Sequence, residues 1–241
     1  MANANRTFNA IPANFRTTDM TDGDWTLAPK WAALLAKHEP SAIALASAHK
    51  RWREGLAGIV AELRREVTTN TPERHYLETH DAAQRFLSVA AKETQSAREA
   101  AERRLHELDG QISAKMRCTD DSYTDKLRDR IYAMKPADRQ TFATKAIEAG
   151  DRAKMAAILN GDALLCGFSD DQKEALRNIA MQKHAGEEIE TKNNLLFAKD
   201  VVFRTMNDAL IAIGTLFPEE RVRQLQNETA EIAAARSRLL A

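Results

Sequence analysis

The chain has 241 residues, of which 44% are hydrophobic, so it can bury a sizeable core and is not compositionally disordered. Its 35 basic and 35 acidic side chains balance, which argues against the one-sided basic field that phosphate binding usually needs. Two cysteines, Cys118 and Cys166, do not indicate a disulfide scaffold and fit a reducing compartment.

The N-terminus lacks the basic and apolar regions of a signal peptide, and no run of about 18 apolar residues predicts a membrane span. We therefore expect a protein that is made in the cytoplasm and does not span a membrane. With 9 glycines and 6 prolines among many Ala, Leu, Arg, Glu and Lys residues, the composition favours long helices.

The first 28 residues are rich in Asn and Thr, poor in Lys and Glu, and have no helical period. One interpretation is a disordered terminus. The other is an extended arm whose apolar side chains fit pockets of a neighbouring subunit, because disordered tails usually lack such anchors. We predict the arm, and its candidate subunit contacts are Phe8, Ile11, Phe15 and Trp25.

Helical signals begin at Pro29. We predict a short helix over residues 29–37, ended by Pro40, and then a helix capped by Ser41 that runs to about residue 67. The apolar stripe of this second helix is Trp52, Leu56, Ile59, Val60, Leu63 and Val67.

The longest helix is predicted from Pro72 to about Lys115, because proline suits a first helical turn. At ~1.5 Å per residue it would span roughly 65 Å, longer than one compact domain requires. Its apolar seam advances in steps of three and four: Leu87, Ala90, Thr94, Ala97, Ala101, Leu105, Leu108 and Ile112. Because Ala97 and Ala101 would let a partner helix approach closely, we predict contacts there between subunits or paired helices.

The C-terminal half repeats these signals. Pro136 opens a helix that Gly150 closes, and Asp151 begins the next. A long helix is predicted from about Glu187 to Phe217, and Pro218 starts a last one. The predicted stripe of the long helix is Ile189, Leu196, Phe203, Met206, Leu210, Ile213 and Phe217. The seam of the last helix is Val222, Leu225, Thr229, Ile232 and Leu239.

No segment alternates convincingly with period two, so strands are not predicted. The predicted fold is all-α: an elongated multi-helix bundle with one or two very long helices and a non-helical N-terminal arm. We divide the chain into the arm at 1–28, a long-helix hairpin or bundle at 29–135, and a C-terminal helical region at 136–241.

The segment LNGDALLCGFSDDQ, residues 159–172, joins two of these helices. Its glycines lack the Gly-Lys-Ser/Thr ending of a phosphate loop and the pattern of a nucleophile elbow. Ser169 and Gln172 fit a capping box, and Gly161 fits a helix C-terminus. Cys166 has apolar neighbours and no adjacent base, so we predict a buried thiol rather than a reactive one.

The joint belongs to the segment AGDRAKMAAILNGDALLCGFSDDQKEALRNIAMQKHAGEE, residues 149–188. This segment resembles a helical module of uncharacterised proteins encoded among phage and prophage virion genes. The shared features are an A-I-L-N helix, an apolar-Gly-Phe-Ser turn before an acidic helix start, and a K-H-A-x-E exit, although Gly186 replaces a proline. The resemblance covers about 40 of 241 residues. It implies a particle or assembly protein and supplies no catalytic residues.

The segment HYLETHD contains four potential metal ligands, His75, Glu78, His80 and Asp81. A zinc or di-iron site would need further ligands from elsewhere, and no Glu-x-x-His pair is present. We interpret the segment as the solvated start of a helix and predict no metal or cofactor.

A second polar cluster, Lys50, Arg51 and Arg53, surrounds Trp52. Because Trp52 belongs to the core stripe, we interpret the three cations as its solvated flanks. The alternative is a patch of phosphate contacts in a nucleic-acid-associated helical protein.

The preferred hypothesis is a non-enzymatic structural protein of a phage particle, at the head, neck or internal core. It would self-assemble through its long helices and its arm, with itself and other virion proteins as partners. Nucleic acid is a possible partner that the balanced charge does not favour.

Overall fold

The computed structural model describes residues 29–66, 70–160, 162 and 166–240. All regular elements in these ranges are α-helices, which confirms the all-α prediction. The helices are α1 Pro29–Ala36, α2 Pro40–Arg64, α3 Pro72–Met116, α4 Ser122–Tyr132, α5 Pro136–Ala149, α6 Arg152–Leu159, α7 Asp170–Leu216 and α8 Glu219–Leu240. The predicted arm, with Phe8, Ile11, Phe15 and Trp25, lies outside the described residues.

The start of α2 differs from the prediction. Pro40 occupies the first turn, and the extended residue Glu39 precedes the helix, so the prediction that Ser41 caps it is wrong. The fixed φ of proline suits this position, where its missing N–H has no helical partner in any case. The Ser41 hydroxyl instead donates to the Glu39 carboxylate at 2.9 Å.

The two long helices are α3, with 45 residues, and α7, with 47. α3 confirms the predicted helix to within one residue at its end. α7 begins at Asp170, directly after the predicted capping box, and continues through the start near Glu187 that was predicted for a separate long helix. Ala185 inside it has non-helical angles of φ −133° and ψ 20°. The predicted start therefore falls next to an interruption inside a longer helical stretch.

Contacts divide the described chain into two compact units. Unit 1 takes the described residues up to Glu102 and from Leu195 onward, and unit 2 is Arg103–Asn194. These units do not coincide with the predicted regions 29–135 and 136–241, because α3 and α7 each supply residues to both.

Unit 1 is built on α2, α3, α7 and α8. The Trp52 ring packs edge-on against Phe86 of α3 with ring centroids 5.5 Å apart, and the Tyr76 hydroxyl donates to the Leu216 carbonyl at 2.9 Å. A large core cluster of this unit comprises Leu56, Ile59, Val60, Leu63, Tyr76, Ala83, Ala212, Ile213, Leu216, Phe217, Val222 and Leu225. Trp52 is therefore a core residue, as predicted.

The seam of α3 is buried by the chain itself. Ala97 and Ala101 are 4% and 0% exposed in a single copy. In the folded chain they are therefore not accessible to a second subunit. Contacts between subunits and contacts between paired helices were both predicted for them, and only a helix pair within the chain is consistent with this burial.

Unit 2 has its own core, to which α4, α5, α6 and the first part of α7 contribute. Its buried cluster is Leu127, Ile131, Ala143, Ala146, Ile147, Met155, Ala157, Ile158, Leu159, Cys166, Phe168, Leu176 and Ala180. Gly150 ends α5 with φ 65°, a left-handed conformation that glycine adopts without steric cost. Asp151 then caps α6, as predicted.

Candidate functional site

The joint at residues 159–172 is held by local hydrogen bonds. The Gln172 N–H donates to Ser169 Oγ at 3.2 Å, and the Ser169 N–H donates to Gln172 Oε1 at 3.0 Å. These two bonds confirm the predicted capping box. Gly161, which was predicted to end a helix, lies outside the described ranges.

Cys166 is fully buried at this joint, as predicted. Its S–H donates to the Ala157 carbonyl at 3.0 Å, and burial raises the pKa of the thiol above its usual value. Because the thiolate is the nucleophilic form, this environment disfavours reaction at Cys166. The joint therefore packs unit 2 rather than presenting an activated thiol.

The four potential metal ligands near the start of α3 make separate local contacts. His75 Nε2 donates to the Glu62 carbonyl at 2.9 Å, and the carboxylate of Glu78 pairs with Arg74 at 2.9 Å. His80 lies 3.3 Å from the Asp81 carboxylate. In the part of the chain that the structure describes, no three His, Cys, Asp or Glu side chains are grouped so that they could hold a metal ion.

The basic cluster around Trp52 is matched by acidic side chains. Arg51 forms an ion pair with Glu93 of α3, and Lys50 Nζ lies 3.7 Å from the Glu54 carboxylate. Arg53 is half-buried. A phosphate would compete with these carboxylates, so the cluster does not present a free positive surface.

An apolar stripe on the unit 1 part of α7 is exposed in the structure. Leu196, Phe203 and Leu210 follow one another at intervals of seven residues, which places them on one side of the helix. Their exposed fractions are 37%, 51% and 43%, and neighbouring Ile211 is 69% exposed. We call these four residues the α7 surface.

The prediction that Leu196, Phe203 and Leu210 pack in the core is wrong. The buried side of α7 in unit 1 is Leu195, Ala198, Val201, Val202, Ala209, Ala212, Ile213 and Leu216. This part of the helix is apolar on more than one side, and spacing alone does not tell which side the rest of the chain covers. Of the predicted stripe, Ile213 and Phe217 are buried.

A pocket of about 230 Å³ lies beside Phe203. Leu45, Val202 and Phe203 supply apolar walls, and Arg98 and Lys199 are also among its lining residues. Both cations bind the Glu102 carboxylate, with N–O distances of 2.8 and 3.4 Å. The hydrogen bond from Arg98, with help from Lys199, holds the pKa of Glu102 below its usual value. The pocket therefore suits an apolar side chain better than an anion.

α8 shows the same contrast between packed and uncovered apolar residues. Val222 and Leu225 are buried in unit 1, in agreement with the predicted seam. Further along that seam, Ile232 is 55% exposed and Leu239 is 85% exposed. Every side chain from residue 226 to residue 239 is exposed. We call this stretch the α8 tail.

No protein-family model, no curated protein and no solved structure matches this chain. Across the described ranges, no helix combines the length and the apolar character needed to cross a membrane.

Proposed function

We propose that this chain is a non-enzymatic structural component of a phage particle that assembles with copies of itself and with other virion proteins. The observation that carries the assembly role is the α7 surface, with Leu196, Phe203 and Leu210 exposed along about 21 Å of helix. Contiguous apolar surface of this kind marks interaction sites in soluble proteins. The phage assignment is supported by the resemblance of residues 149–188 to proteins encoded among virion genes.

The pocket beside Phe203 is a cavity at the α7 surface that a side chain of a partner can enter. Interfaces draw most of their binding energy from a few large anchors that fill such pockets. The arm, with Phe8, Ile11, Phe15 and Trp25, contains side chains of the required kind. In this proposal the arm of one subunit supplies contacts to another and raises the effective concentration of the remaining contacts.

The nucleic-acid alternative gains no support from Lys50, Arg51 and Arg53. Glu54 and Glu93 pair with two of these cations, so the local charge is close to balanced. These contacts therefore do not favour nucleic-acid binding at this cluster.

The first experiment asks whether the chain is part of a particle. Particles released from a culture that carries this gene are purified on a density gradient, and the chain is detected in the fractions by antibody. The proposal expects the chain to sediment with intact particles after nuclease treatment. Recovery only among unassembled proteins at the top of the gradient would overturn the assignment to the particle.

The second experiment tests the α7 surface with a matched pair of variants. Phe203→Glu places a charge on the surface, whereas Ile179→Glu changes a side chain of similar exposure, 46%, in the unit 2 part of the same helix. Both variants should keep their helical circular dichroism, because both side chains are already about half exposed. We expect Phe203→Glu to lower incorporation into particles about tenfold or more, as about 1.4 kcal/mol of lost contact would. Equal incorporation of both variants would remove the α7 surface from the proposal.

The third experiment deletes residues 1–28. The proposal expects the truncated subunit to keep its helical content and melting temperature and to incorporate poorly. If the truncated protein unfolds several degrees earlier and still assembles normally, the arm packs on its own subunit and has no assembly role.

A further inference from the structure

The pocket beside Phe203 has the size of one aromatic side chain. Its volume is about 230 Å³, and all of its lining residues belong to unit 1. A cavity of about 150 Å³ holds a benzene molecule, whereas pockets for drug-sized ligands begin at about 300 Å³. The pocket is therefore large enough for one aromatic ring system and too small for a typical organic ligand.

Most polar side chains that line the pocket already have partners. The Thr94 hydroxyl accepts one hydrogen bond and donates another inside unit 1. Arg98 and Lys199 both bind the carboxylate of Glu102. Asp200 differs from these residues, because within the described ranges its carboxylate forms no hydrogen bond and no ion pair. The lining therefore offers one acceptor to a donor on an incoming side chain.

An indole suits this lining better than the other side chains do. Its ring fills the apolar space, and its N–H is a neutral donor for the Asp200 carboxylate. A lysine or arginine would bring a further positive charge close to Arg98 and Lys199, and a phenylalanine has the ring but no donor. The two cations also favour an indole, because tryptophan is the aromatic side chain that attracts cations best.

The chain itself contains one tryptophan that unit 1 has not already packed in its described core. Of its three tryptophans, Trp31 and Trp52 are buried, with exposed fractions of 0% and 1%. The third is Trp25, which belongs to the arm and lies outside the described residues. Trp25 is therefore the indole that this chain can supply to the pocket.

The position of α1 favours a pocket on another copy. Lys30 Nζ lies 5.6 Å from the centre of the Phe197 ring, so the start of α1 is beside Phe197. Phe197 and Phe203 point about 120° apart around α7 and lie about 9 Å apart along its axis. The link from Trp25 to Pro29 spans at most about 14 Å, so it would have to run almost fully extended around α7 to reach the pocket of its own copy. A pocket on a neighbouring copy does not impose this path.

We propose that Trp25 of one copy occupies the pocket beside Phe203 of a second copy, where its indole N–H donates to the Asp200 carboxylate. This inference names an anchor and its receptor for the self-assembly described above, and it rests on that proposed function. Because every copy has both the anchor and the pocket, the same contact can repeat from one copy to the next. Asp200 is then the residue that selects tryptophan over other apolar side chains.

Thiol cross-linking between two full-length variants tests whether the contact joins two copies. One variant carries Thr26→Cys, next to Trp25. The other carries Asn207→Cys, which is partly exposed and lies one turn after Phe203 on α7. The matched control pair combines Thr26→Cys with Glu148→Cys, an exposed position of unit 2.

All of these variants also carry Cys118→Ser, and the remaining Cys166 is buried. The two members of a pair are mixed at high micromolar concentration and treated with a short bis-maleimide reagent. One member has an affinity tag, so a cross-link between different copies has a distinct mass. We expect Thr26→Cys with Asn207→Cys to give this product at least about tenfold faster than the control pair, because the contact raises the local concentration of the two thiols.

Two results of this experiment would overturn the proposal. The first is an equal rate for the two pairs, because the thiols would then meet only by random collision. The second comes from a single chain that carries both Thr26→Cys and Asn207→Cys. If this variant cross-links only within one chain, Trp25 lies on its own copy.

The proposed hydrogen bond is tested in the same cross-linking pair. Trp25→Ala should slow the reaction about tenfold or more, because the anchor is lost. Trp25→Phe and Asp200→Ala should each slow it several-fold, because each removes one partner of the bond. The two changes combined should slow the reaction by less than the product of their separate effects. Effects that multiply would show that Trp25 and Asp200 do not interact and would overturn the role of Asp200.

These outcomes separate the inference from the function on which it rests. If the chain sediments with particles and Phe203→Glu lowers its incorporation, but Trp25→Ala leaves cross-linking unchanged, Trp25 is not the anchor and the assembly role stands. Cross-linking that depends on Trp25 in a chain that does not sediment with particles would support the contact and remove the phage assignment. If the chain does not sediment with particles and both pairs react equally slowly, both proposals fail.

Discussion

The indole N–H of Trp52 donates a hydrogen bond of 2.7 Å to the hydroxyl of Thr94, which joins α2 to α3 across 42 positions of sequence. Both side chains are buried, and the Thr94 hydroxyl in turn donates to the Ala90 carbonyl at 2.8 Å. A buried indole N–H without a partner costs about 1–3 kcal/mol. This bond explains why a polar residue stands in the apolar seam of α3.

We expect Thr94→Val to lower the free energy of unfolding by about 1–3 kcal/mol, because valine keeps the shape of threonine but leaves the indole N–H unpaired. Urea denaturation followed by circular dichroism measures the change. Thr94→Ser is the control, since it keeps the hydroxyl and loses only a methyl group. If both variants unfold at the same urea concentration, the hydrogen bond does not contribute as argued.

Sequence spacing predicted the buried sides of α2 and α3 but not the partner of Thr94. Apolar residues at helical intervals show which side of a helix is covered, whereas the element that covers it depends on the whole fold. The same limit explains α7, where Leu196, Phe203 and Leu210 have core-like spacing and are nevertheless exposed. Their neighbour Leu195 is fully buried, so a shift of one position separates core from surface.

Gly55 of α2 lies where a larger residue would collide with α3. A Cβ atom at this position would overlap the ring of Phe86, and that ring is fixed by its edge-on contact with Trp52. We expect Gly55→Ala to lower the free energy of unfolding by about 1–3 kcal/mol through overpacking, despite the higher helix propensity of alanine.

Gly58, one turn further along α2, gives the matched control. A Cβ atom there would meet nothing within 4 Å, so Gly58→Ala should raise the free energy of unfolding by about 0.5–1 kcal/mol. Thermal denaturation of the two variants should therefore shift the melting temperature in opposite directions. A stabilising Gly55→Ala would show that α2 and α3 are further apart than the structure places them.

Cys166 and Cys118 should differ in reactivity. Burial raises the pKa of both thiols, but Cys166 is fully buried and bonded to the Ala157 carbonyl, whereas Cys118 is partly exposed. We expect a thiol reagent at pH 8 to modify Cys118 first, and to modify Cys166 quickly only after denaturation. Mass spectrometry of digested protein over time gives both rates.

The burial of Cys166 also predicts the effect of its truncation on stability. Cys166→Ala should lower the free energy of unfolding by about 1 kcal/mol, as the truncation of a small buried side chain does, and should leave incorporation into particles unchanged. Cys118→Ser should change stability less. Rapid labelling of Cys166 in the native protein, together with poor incorporation of Cys166→Ala, would instead make the joint a functional site.

The joint and the α8 tail show which site features a sequence can reveal. The capping box of Ser169 and Gln172 depends on residues three positions apart, so local chemistry was enough to predict it. The exposure of Ile232 depends on where the rest of unit 1 ends, and no local pattern carries that information. The predicted seam of α8 is therefore buried at Leu225, as expected, but it is exposed at Ile232 and Leu239.

Asp151 links the stability of unit 2 to pH. Its carboxylate accepts a hydrogen bond from the Lys154 backbone N–H at 3.1 Å and pairs with Lys154 Nζ at 2.6 Å. The hydrogen bond from the Lys154 side chain, followed by the one from its backbone, lowers the pKa of Asp151. The ionised carboxylate of Asp151 therefore stabilises the folded state more than the protonated carboxyl group does.

We expect Asp151→Ala to lower the free energy of unfolding by about 1 kcal/mol at pH 7, because α6 loses its N-terminal cap. The folded pKa of Asp151 lies below the unfolded value of about 3.9. The stabilisation that the negative charge of Asp151 provides is therefore complete above about pH 3.9, and it is lost as the pH falls through the folded pKa. Asp151→Asn keeps a capping oxygen without the charge and should therefore lose less than Asp151→Ala. Urea denaturation of the three proteins between pH 7 and pH 2 measures these differences. A wild-type advantage over Asp151→Asn that stays constant down to pH 2 would contradict the lowered pKa, since protonation should remove it.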